Sequence, residues 1–215
     1  MIFTRLKLFI DAAPHAGPLN MAIDEVLLRN AGEPLLRVYR WSDRSVSFGY
    51  FGEYQAVSDR WPGRPLVRRW TGGGEVPHGD DFTYTLIVPR DDAFSKTSVR
   101  ESYRLIHEVL AGAIPGTSLA DSDAEENAAC FARPVVADVM KAGIKVAGAA
   151  QRRGKLGLLH QGSLQGTDWP PTLPENLAAS LATSWTADAL EPEIVAQASQ
   201  LADEKYATDE WLRRR

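Results

Sequence analysis

The residues best suited to chemistry lie in one short segment, 68–78, which reads Arg-Arg-Trp-Thr-Gly-Gly-Gly-Glu-Val-Pro-His. Three consecutive glycines cost backbone entropy on folding, so they indicate a path that residues with a Cβ cannot follow, or a ligand close to the main chain. Arg68 and Arg69 supply positive charge for an anion or a polarised carbonyl. The segment predicts a binding loop, and the alternative is a glycine-rich surface hairpin with solvated arginines.

A second segment, 143–164, places a lysine on a predicted hairpin. The small residues at 147–150 follow Lys145 and leave room beside its ammonium for a ligand. Neither segment has the spacing of a phosphate-binding P-loop or the spaced glycines of a dinucleotide-binding fold. The glycines therefore indicate a different kind of site.

Together these residues resemble the biotin/lipoate protein ligase family. The similarity rests on Arg-Arg and Thr-Gly-Gly-Gly in 68–74, on His78, on Gly-x-Lys-Val-Ala-Gly-x-Ala-Gln at 143–151 and on Leu-His-x-Gly-Ser-Leu at 159–164. It extends over about residues 15–166. The resemblance implies a cleft that holds an acyl chain as its adenylate or thioester, with the glycine loop on one side and the lysine strand on the other.

The resemblance also implies roles for individual residues. Lys145 is expected to contact the acyl carbonyl or the phosphate joined to it. His78 is expected to orient the glycine loop. Asp138 is expected to pair with Lys145 or to position an acceptor amine, and a turn-forming aspartate is the alternative. His160 either supports the lysine strand or packs structurally. The substrate-binding residues implied in this way are Arg68, Arg69, Thr71, Gly72, Gly73, Gly74, His78, Asp138, Gly148, Ala149 and His160.

Cys130 is the second candidate catalytic residue beside Lys145. Its surroundings, 129–134, resemble the octanoyltransferases and amidotransferases of the same superfamily. A thioester acyl group can pass to a thiolate with little change in free energy, and an acceptor lysine can then attack the acyl-enzyme. A nearby ammonium such as that of Lys145 would favour the thiolate. The alternative is that Cys130 is a small buried hydrophobe.

Three hypotheses for function follow. The favoured one is transfer of an octanoyl or lipoyl group from a thioester donor through Cys130, without a cofactor. The second is ATP-dependent lipoate ligation through an acyl adenylate, which uses ATP and Mg, with Lys145 on the phosphate. The third is a silent subunit that binds lipoyl cargo or assists a partner ligase. The triple glycine is more similar to the ligases, whereas Asp-Phe-Thr-Tyr-Thr at 81–85 is more similar to the transferases.

The same resemblance implies the partners. Acyl carrier protein is the expected donor, and the expected acceptors are lipoyl domain proteins such as dehydrogenase E2 subunits and the glycine cleavage H protein. An accessory ligase subunit is a further candidate.

Composition limits the remaining classes of function. With 215 residues and 44% hydrophobic content, the chain can bury a substantial core in one domain, 1–215, without a C-terminal accessory domain. The single cysteine and four scattered histidines predict no metal site. A net charge of −4 argues against nucleic acid, and the absence of a long apolar run or leader predicts a cytoplasmic protein without membrane contact.

The elements that must position these residues form an α/β (α+β) fold, with a mixed sheet flanked by helices. Apolar, β-rich runs predict strands at 34–41, 44–51, 64–70, 81–89, 144–153 and 156–165, which we expect in one sheet. A capping box at 98–101 begins a helix that ends before Pro115, which we expect to serve core packing alone. An acidic stretch at 121–127 predicts a solvated loop, and helical patterns run from about 170 to the end.

Overall fold

The computed structural model describes residues 1–121, 135–166 and 169–214. The strands are β1 Phe3–Ile10, β2 Leu35–Tyr39, β3 Val46–Phe48, β4 Leu66–Arg68, β5 Glu75–Pro77, β6 Phe82–Pro89, β7 Thr117–Leu119, β8 Val139–Lys141, β9 Ile144–Gly154, β10 Gly157–Leu164 and β11 Ala182–Asp188. The helices are α1 Gly17–Asn30, α2 Tyr54–Arg60, α3 Val99–Ala113, α4 Leu173–Leu181, α5 Pro192–Leu201 and α6 Asp209–Arg213.

Eight strands form one mixed sheet in the order β11-β1-β2-β6-β10-β9-β8-β7. β1 runs parallel to both β11 and β2, and from β2 to β7 each neighbouring pair is antiparallel. β3, β4 and β5 form a separate sheet with β3 in the middle. The predicted mixed sheet flanked by helices is therefore confirmed.

The central strands are buried on both faces, because successive side chains of a strand point to opposite sides. Leu36, Leu86 and Leu158 belong to a core that includes residues of α3 and α4. Their neighbours Leu35, Ile87 and Leu159 belong to a second core with α1 and α5. Continuous apolar runs therefore gave reliable strand predictions here, since both faces need apolar residues.

Four of the six predicted strand runs form adjacent strands of the large sheet, namely β2, β6, β10 and β9. The placement of 44–51 and 64–70 in that sheet was wrong. These runs form β3 and β4 of the small sheet, because β2 already has β1 and β6 on its two edges. No open hydrogen-bonding edge remains beside β2 for the next strand along the chain.

The prediction of helices from about residue 170 to the end was partly wrong. The helices α4, α5 and α6 are present, but β11 lies between α4 and α5 and pairs with β1. Most residues of β11 are exposed, so its sequence carries no apolar alternation that would have marked it. The edge of β1 that β2 leaves free has backbone N–H and C=O groups that need partners, and β11 forms a strand by pairing with them.

The helix predicted from the capping box is confirmed as α3. The side chain of Ser98 accepts a hydrogen bond from the backbone N–H of Glu101 at 3.2 Å. The predicted loop at 121–127 lies outside the described residues except for Asp121. Among the helices that the structure describes, none is long and apolar enough to cross a bilayer.

A buried aspartate on α1 connects the helix to the centre of the large sheet. The carboxylate of Asp24, fully buried, accepts from Arg37 of β2 at 2.8 Å, Thr85 of β6 at 2.6 Å and Gln161 of β10 at 2.7 Å. A buried charge is stable only when it is paired and hydrogen-bonded. This network therefore fixes the position of α1 over the sheet.

Replacing Asp24 by alanine should lower the free energy of unfolding by about 3–5 kcal/mol, because it leaves the guanidinium of Arg37 without one of its two carboxylates in a buried position. Urea denaturation of the purified variant measures this loss. Asp209→Ala is the control, since its carboxylate pairs with Arg213 at 3.2 Å but is 80% exposed. An equal loss in both variants would contradict the assigned role of Asp24.

Candidate active site

A cleft lies between the small sheet with its glycine loop and the strands β9 and β10. Its empty volume, which includes the solvent-filled space at its open mouth, is about 550 Å³. One wall contains Arg69, Gly73, Gly74 and His78, and the opposite wall contains Lys145 and the small residues at 148–150. The structure thus brings together the two sequence segments that were predicted to face each other.

Lys145 is anchored at this cleft by a buried carboxylate. Its Nζ lies 2.8 Å from Oδ2 of Asp138, whose side chain is fully buried, while the lysine side chain retains 10% exposure. Asp138 also accepts from the hydroxyl of Tyr103 at 2.5 Å and from the backbone N–H of Val135 at 2.8 Å. The ammonium is therefore held in one place while it still borders the cleft.

Gly148 gives the lysine side chain its space. A Cβ at this position would lie 2.7 Å from Cε and 2.9 Å from Nζ of Lys145. The room that the small residues were predicted to leave for a ligand is thus used, at Gly148, by the lysine itself. Ala149, which lines the cleft, donates its backbone N–H to the hydroxyl of Tyr103 at 3.1 Å.

The helix α3 contributes to this arrangement, which corrects the expectation that it serves core packing alone. Tyr103 binds Asp138, and His107 lies one turn further along the same face. Burial lowers the pKa of His107 to about 4, so the ring is neutral and its Nδ1–H donates to the carbonyl of Ala137 at 2.6 Å. Ala137 has a positive φ of 71°, an uncommon conformation that this bond supports directly before Asp138.

On the opposite wall, Arg69 binds back onto its own glycine loop. Its guanidinium donates to the carbonyls of Gly72 at 3.1 Å and Gly74 at 2.8 Å, and to the hydroxyl of Ser47 at 2.7 Å. Burial lowers its pKa to about 10, so the group remains charged at neutral pH. Gly73 has a φ of +86°, which confirms that this loop follows a path suited to glycine.

His78 lies in a row of hydrogen bonds behind Arg69. Its Nε2 lies 2.6 Å from the hydroxyl of Ser47, its Nδ1 lies 2.8 Å from Asp81, and its ring stacks on Trp41 at 3.7 Å. Burial lowers the pKa of His78, although the bond with Asp81 opposes this effect. Burial would raise the pKa of Asp81, but the bonds from His78, Ser163 and Thr83 lower it.

The hydrogen-bond partners of His78 define its tautomer. A neutral ring beside an ionised Asp81 carries its proton on Nδ1, so Nε2 accepts the proton of the Ser47 hydroxyl. The oxygen of Ser47 is then available as an acceptor for Arg69. His78 is therefore connected to the loop through Ser47 and Arg69, and its role in orienting the loop stays a prediction.

The lining of the cleft also includes apolar and aromatic side chains. They are those of Met21 of α1, Tyr39 of β2, Trp41 and Val76 of β5. The indole N–H of Trp41 is satisfied by the hydroxyl of Thr83 at 2.9 Å, so the ring presents its apolar surface without an unpaired donor. This environment suits an aliphatic chain.

Arg68 does not belong to the cleft, which corrects its assignment as a substrate-binding residue. Its guanidinium is buried and donates to backbone carbonyls of Trp211, Leu212 and Arg214 near the C-terminus, and to those of Tyr50 and Gly52. Sequence adjacency could not distinguish it from Arg69, because consecutive strand residues point to opposite faces. Arg68 therefore joins α6 to the small sheet.

Three further predicted residues support the cleft without lining it in the described part of the chain. The hydroxyl of Thr71 donates to Gln161 at 2.8 Å, and Gly72 offers its carbonyl to Arg69. His160 lies behind the lysine strand, where it contacts Gln151 at 3.0 Å and the hydroxyl of Tyr84 at 3.2 Å. Burial lowers the pKa of His160 well below its ordinary value, so it is a neutral packed histidine.

Cys130 lies outside the described residues, and its catalytic role stays a prediction. Sequence reasoning missed Tyr103, Asp81, Trp41 and Gln161 as parts of the site. The similarity of segment 81–85 to the transferases was a usable signal for Asp81. Tyr103 had none, because its periodic position is typical of core packing.

A family model described as the lipoyl protein ligase A/B catalytic domain matches residues 17–167. The octanoyltransferase LipM of Halalkalibacterium halodurans is 35% identical over 180 residues, covering 73% of this chain and 64% of its own length. LipM of Staphylococcus aureus is 33% identical over 177 residues, with 73% and 64% covered. The chain thus spans slightly under two thirds of the length of these two relatives. LipM of Brevibacillus brevis is 29% identical, and the similarity there covers 92% of this chain and 95% of the relative.

Two solved structures share the fold over 99% of both chains. One is a putative lipoate protein ligase from T. acidophilum with bound lipoic acid, at a TM-score of 0.75 and 23% identity. The other is a lipoate-protein ligase A bound with ATP, at a TM-score of 0.73 and 23% identity. At this level of identity the similarity demonstrates the architecture.

Gly73→Val should weaken acyl binding at least about tenfold, because valine is strained at a φ of +86° and its Cβ would lie 3.2 Å from that of Ala150 across the cleft. Calorimetry with a thioether analogue of an octanoyl thioester measures the affinity. Gly72→Ala is the matched control, since a Cβ there has no heavy atom within 4 Å and its φ is not positive. Unchanged affinity in the valine variant would show that the loop is a structural turn without a role in acyl binding.

Proposed function

The chain belongs to the lipoyl protein ligase A/B catalytic domain family, and on that premise we propose that it transfers an octanoyl group from a thioester donor to a lysine of a lipoyl domain. The donor is acyl carrier protein, and the acceptors are lipoyl domain proteins such as dehydrogenase E2 subunits or the glycine cleavage H protein. Similarity to the octanoyltransferases LipM supports the octanoyl group as the cargo.

The observation that carries this proposal is the ammonium of Lys145, fixed by Asp138 at 2.8 Å, beside a cleft whose lining includes apolar and aromatic side chains. An acyl chain needs apolar walls. When a nucleophile attacks its carbonyl carbon, the carbonyl oxygen becomes negative and needs a positive charge beside it. A preorganised cation in a site of low water content stabilises such an oxyanion effectively. The cleft combines both features.

The proposed reaction has two steps, in which Cys130 acts as the nucleophile. First, the Cys130 thiolate attacks the thioester carbonyl, and the carrier thiolate leaves. Second, the amine of the acceptor lysine attacks the acyl-enzyme, which forms an amide and releases the Cys130 thiolate; the protons lost by the amine pass to solvent and to that thiolate. Lys145 stabilises the oxyanion in both steps.

ATP-dependent lipoate ligation is the second candidate, favoured by the triple glycine at 72–74, of which Gly73 and Gly74 line the cleft. In that reaction Lys145 would lie against the phosphate of an acyl adenylate, and Cys130 would be uninvolved. The requirement for ATP and the requirement for a thiol separate the two candidates experimentally.

Incubation with octanoyl carrier protein should give an intact-mass increase of one octanoyl group that hydroxylamine removes. Cys130→Ser should abolish this adduct and the subsequent transfer to a lipoyl domain, because a serine hydroxyl without an assisting base is a far weaker nucleophile at neutral pH. Mass spectrometry without ATP is the measurement.

The same Cys130→Ser variant is then assayed with lipoate and ATP. Retained ATP-dependent lipoylation together with normal octanoyl transfer by the variant would refute the cysteine mechanism and support the ligase. If the wild-type protein is inactive in both assays, it is a silent binding subunit.

Lys145→Ala should reduce the rate of octanoyl transfer by about a hundredfold or more, since it removes the charge that faces the developing oxyanion. Stopped assays with a lipoyl domain at saturating donor measure the rate. Lys141→Ala is the matched control, because Lys141 lies on the neighbouring strand β8 and is exposed. Near wild-type activity of Lys145→Ala would remove this residue from the mechanism.

A further inference from the structure

A group of aromatic and basic side chains, half-buried except for the exposed Phe51 and Arg214, lies beside the glycine loop and is not used by the proposed chemistry. This aromatic–cationic patch consists of Tyr50, Phe51, Trp70, Arg152, Lys205 and Arg214. Phe51 is 89% exposed, which is a high value for a large apolar side chain. Interfaces are enriched in aromatic residues and arginine, so the composition is that of a binding surface.

The turn that carries Phe51 is held in place by hydrogen bonds. The backbone N–H of Tyr50 donates to the carbonyl of Thr71 at 2.8 Å, and Arg68 donates to the carbonyls of Tyr50 at 2.8 Å and Gly52 at 2.7 Å. The exposed ring therefore projects from a fixed backbone that is bonded to the glycine loop. Such a ring loses little further backbone freedom on binding.

Two of the three positive charges of the patch, those of Arg152 and Arg214, are available to a partner, whereas Nζ of Lys205 pairs with Oε2 of Glu25 at 2.6 Å. The guanidinium of Arg152 stacks on Trp70 at 4.2 Å, and that of Arg214 stacks on Tyr50 at 4.5 Å. In the described ranges, no carboxylate lies within 4.0 Å of either guanidinium. Since the whole chain has a net charge of −4, this local excess of positive charge favours an acidic partner at this position.

The patch adjoins the cleft along β9. Gly148, Ala150 and Arg152 lie on the same face of this strand, and the first two line the cleft. Four residues of a strand span about 13 Å, so Arg152 and Gly148 lie about that far apart along β9. The ammonium of Lys145 packs against Gly148. A small domain with a radius of gyration near 13 Å covers both positions when it docks over the cleft mouth.

We propose that the aromatic–cationic patch docks the lysine-bearing acceptor domain through acidic side chains that flank its target lysine. The inference rests on the proposed function. A lysine side chain is short, so the acceptor domain must touch the rim of the cleft for its amine to reach an acyl group inside. A donor that carries its acyl group on a long flexible arm has no such requirement.

The test uses protein loaded with octanoyl from a small thioester, octanoyl-pantetheine, followed by a lipoyl domain as acceptor. Arg152→Glu should raise the KM for the lipoyl domain at least about tenfold at low salt, with the loading rate unchanged. Added NaCl should raise the wild-type KM and affect that of the variant less. Phe51→Ser should also raise the KM. Because the ring of Phe51 is exposed, its loss should not affect folding, so a higher KM would reflect weaker docking.

Arg5→Glu is the matched control, because Arg5 is an exposed arginine on β1, separated from β9 by β2, β6 and β10. An unchanged KM in Arg152→Glu, or an equal change in Arg5→Glu, would overturn the proposal. Slower loading from octanoyl carrier protein, with normal KM for the lipoyl domain, would assign the patch to the donor instead. Wild-type protein that fails to load at all would refute the proposed function. Titration with the lipoyl domain then decides on the patch: weaker binding by Arg152→Glu than by wild type supports it, and equal affinity overturns it.

Discussion

The buried carboxylate of Asp24 connects the fold to the candidate site. It accepts hydrogen bonds from β2, β6 and β10, and one of the donors, Gln161, in turn accepts from Thr71 of the glycine loop at 2.8 Å. A buried negative charge is tolerated only when hydrogen-bond donors surround it, so every strand that supplies a donor is held in place relative to α1. The position of the loop therefore depends on a helix on the same face of these strands, since the side chain of Gln161 contacts both Asp24 and Thr71.

Two other buried aspartates act on the two walls of the cleft. Asp81 accepts from His78, Thr83 and Ser163, and so joins the segment after the glycine loop to β6 and β10. Asp138 holds Lys145. Both walls are thus fixed by ionic hydrogen bonds before any ligand arrives. Such preorganisation is what electrostatic stabilisation of an acyl-transfer transition state requires, because no reorganisation is then needed during the reaction.

The sequence by itself determined the fold class, the central strands and the two facing segments of the cleft. Strands β2, β6, β9 and β10 could be predicted because a strand buried on both faces needs a continuous apolar run. The glycine loop and Lys145 could be predicted because consecutive glycines and a lysine beside small residues are chemically unusual within short windows. These signals are local, and no knowledge of distant contacts is needed to detect them.

Only the tertiary structure decided which charged residue performs which role. It separated Arg69, in the cleft wall, from Arg68, which binds carbonyls near the C-terminus. It brought Tyr103 of α3 to Asp138 and made β11 a strand through the free edge of β1. Partners distant in sequence supply these interactions, so the type of a residue and its neighbours along the chain do not specify them. A buried polar group takes its role from the donors and acceptors that the fold places around it.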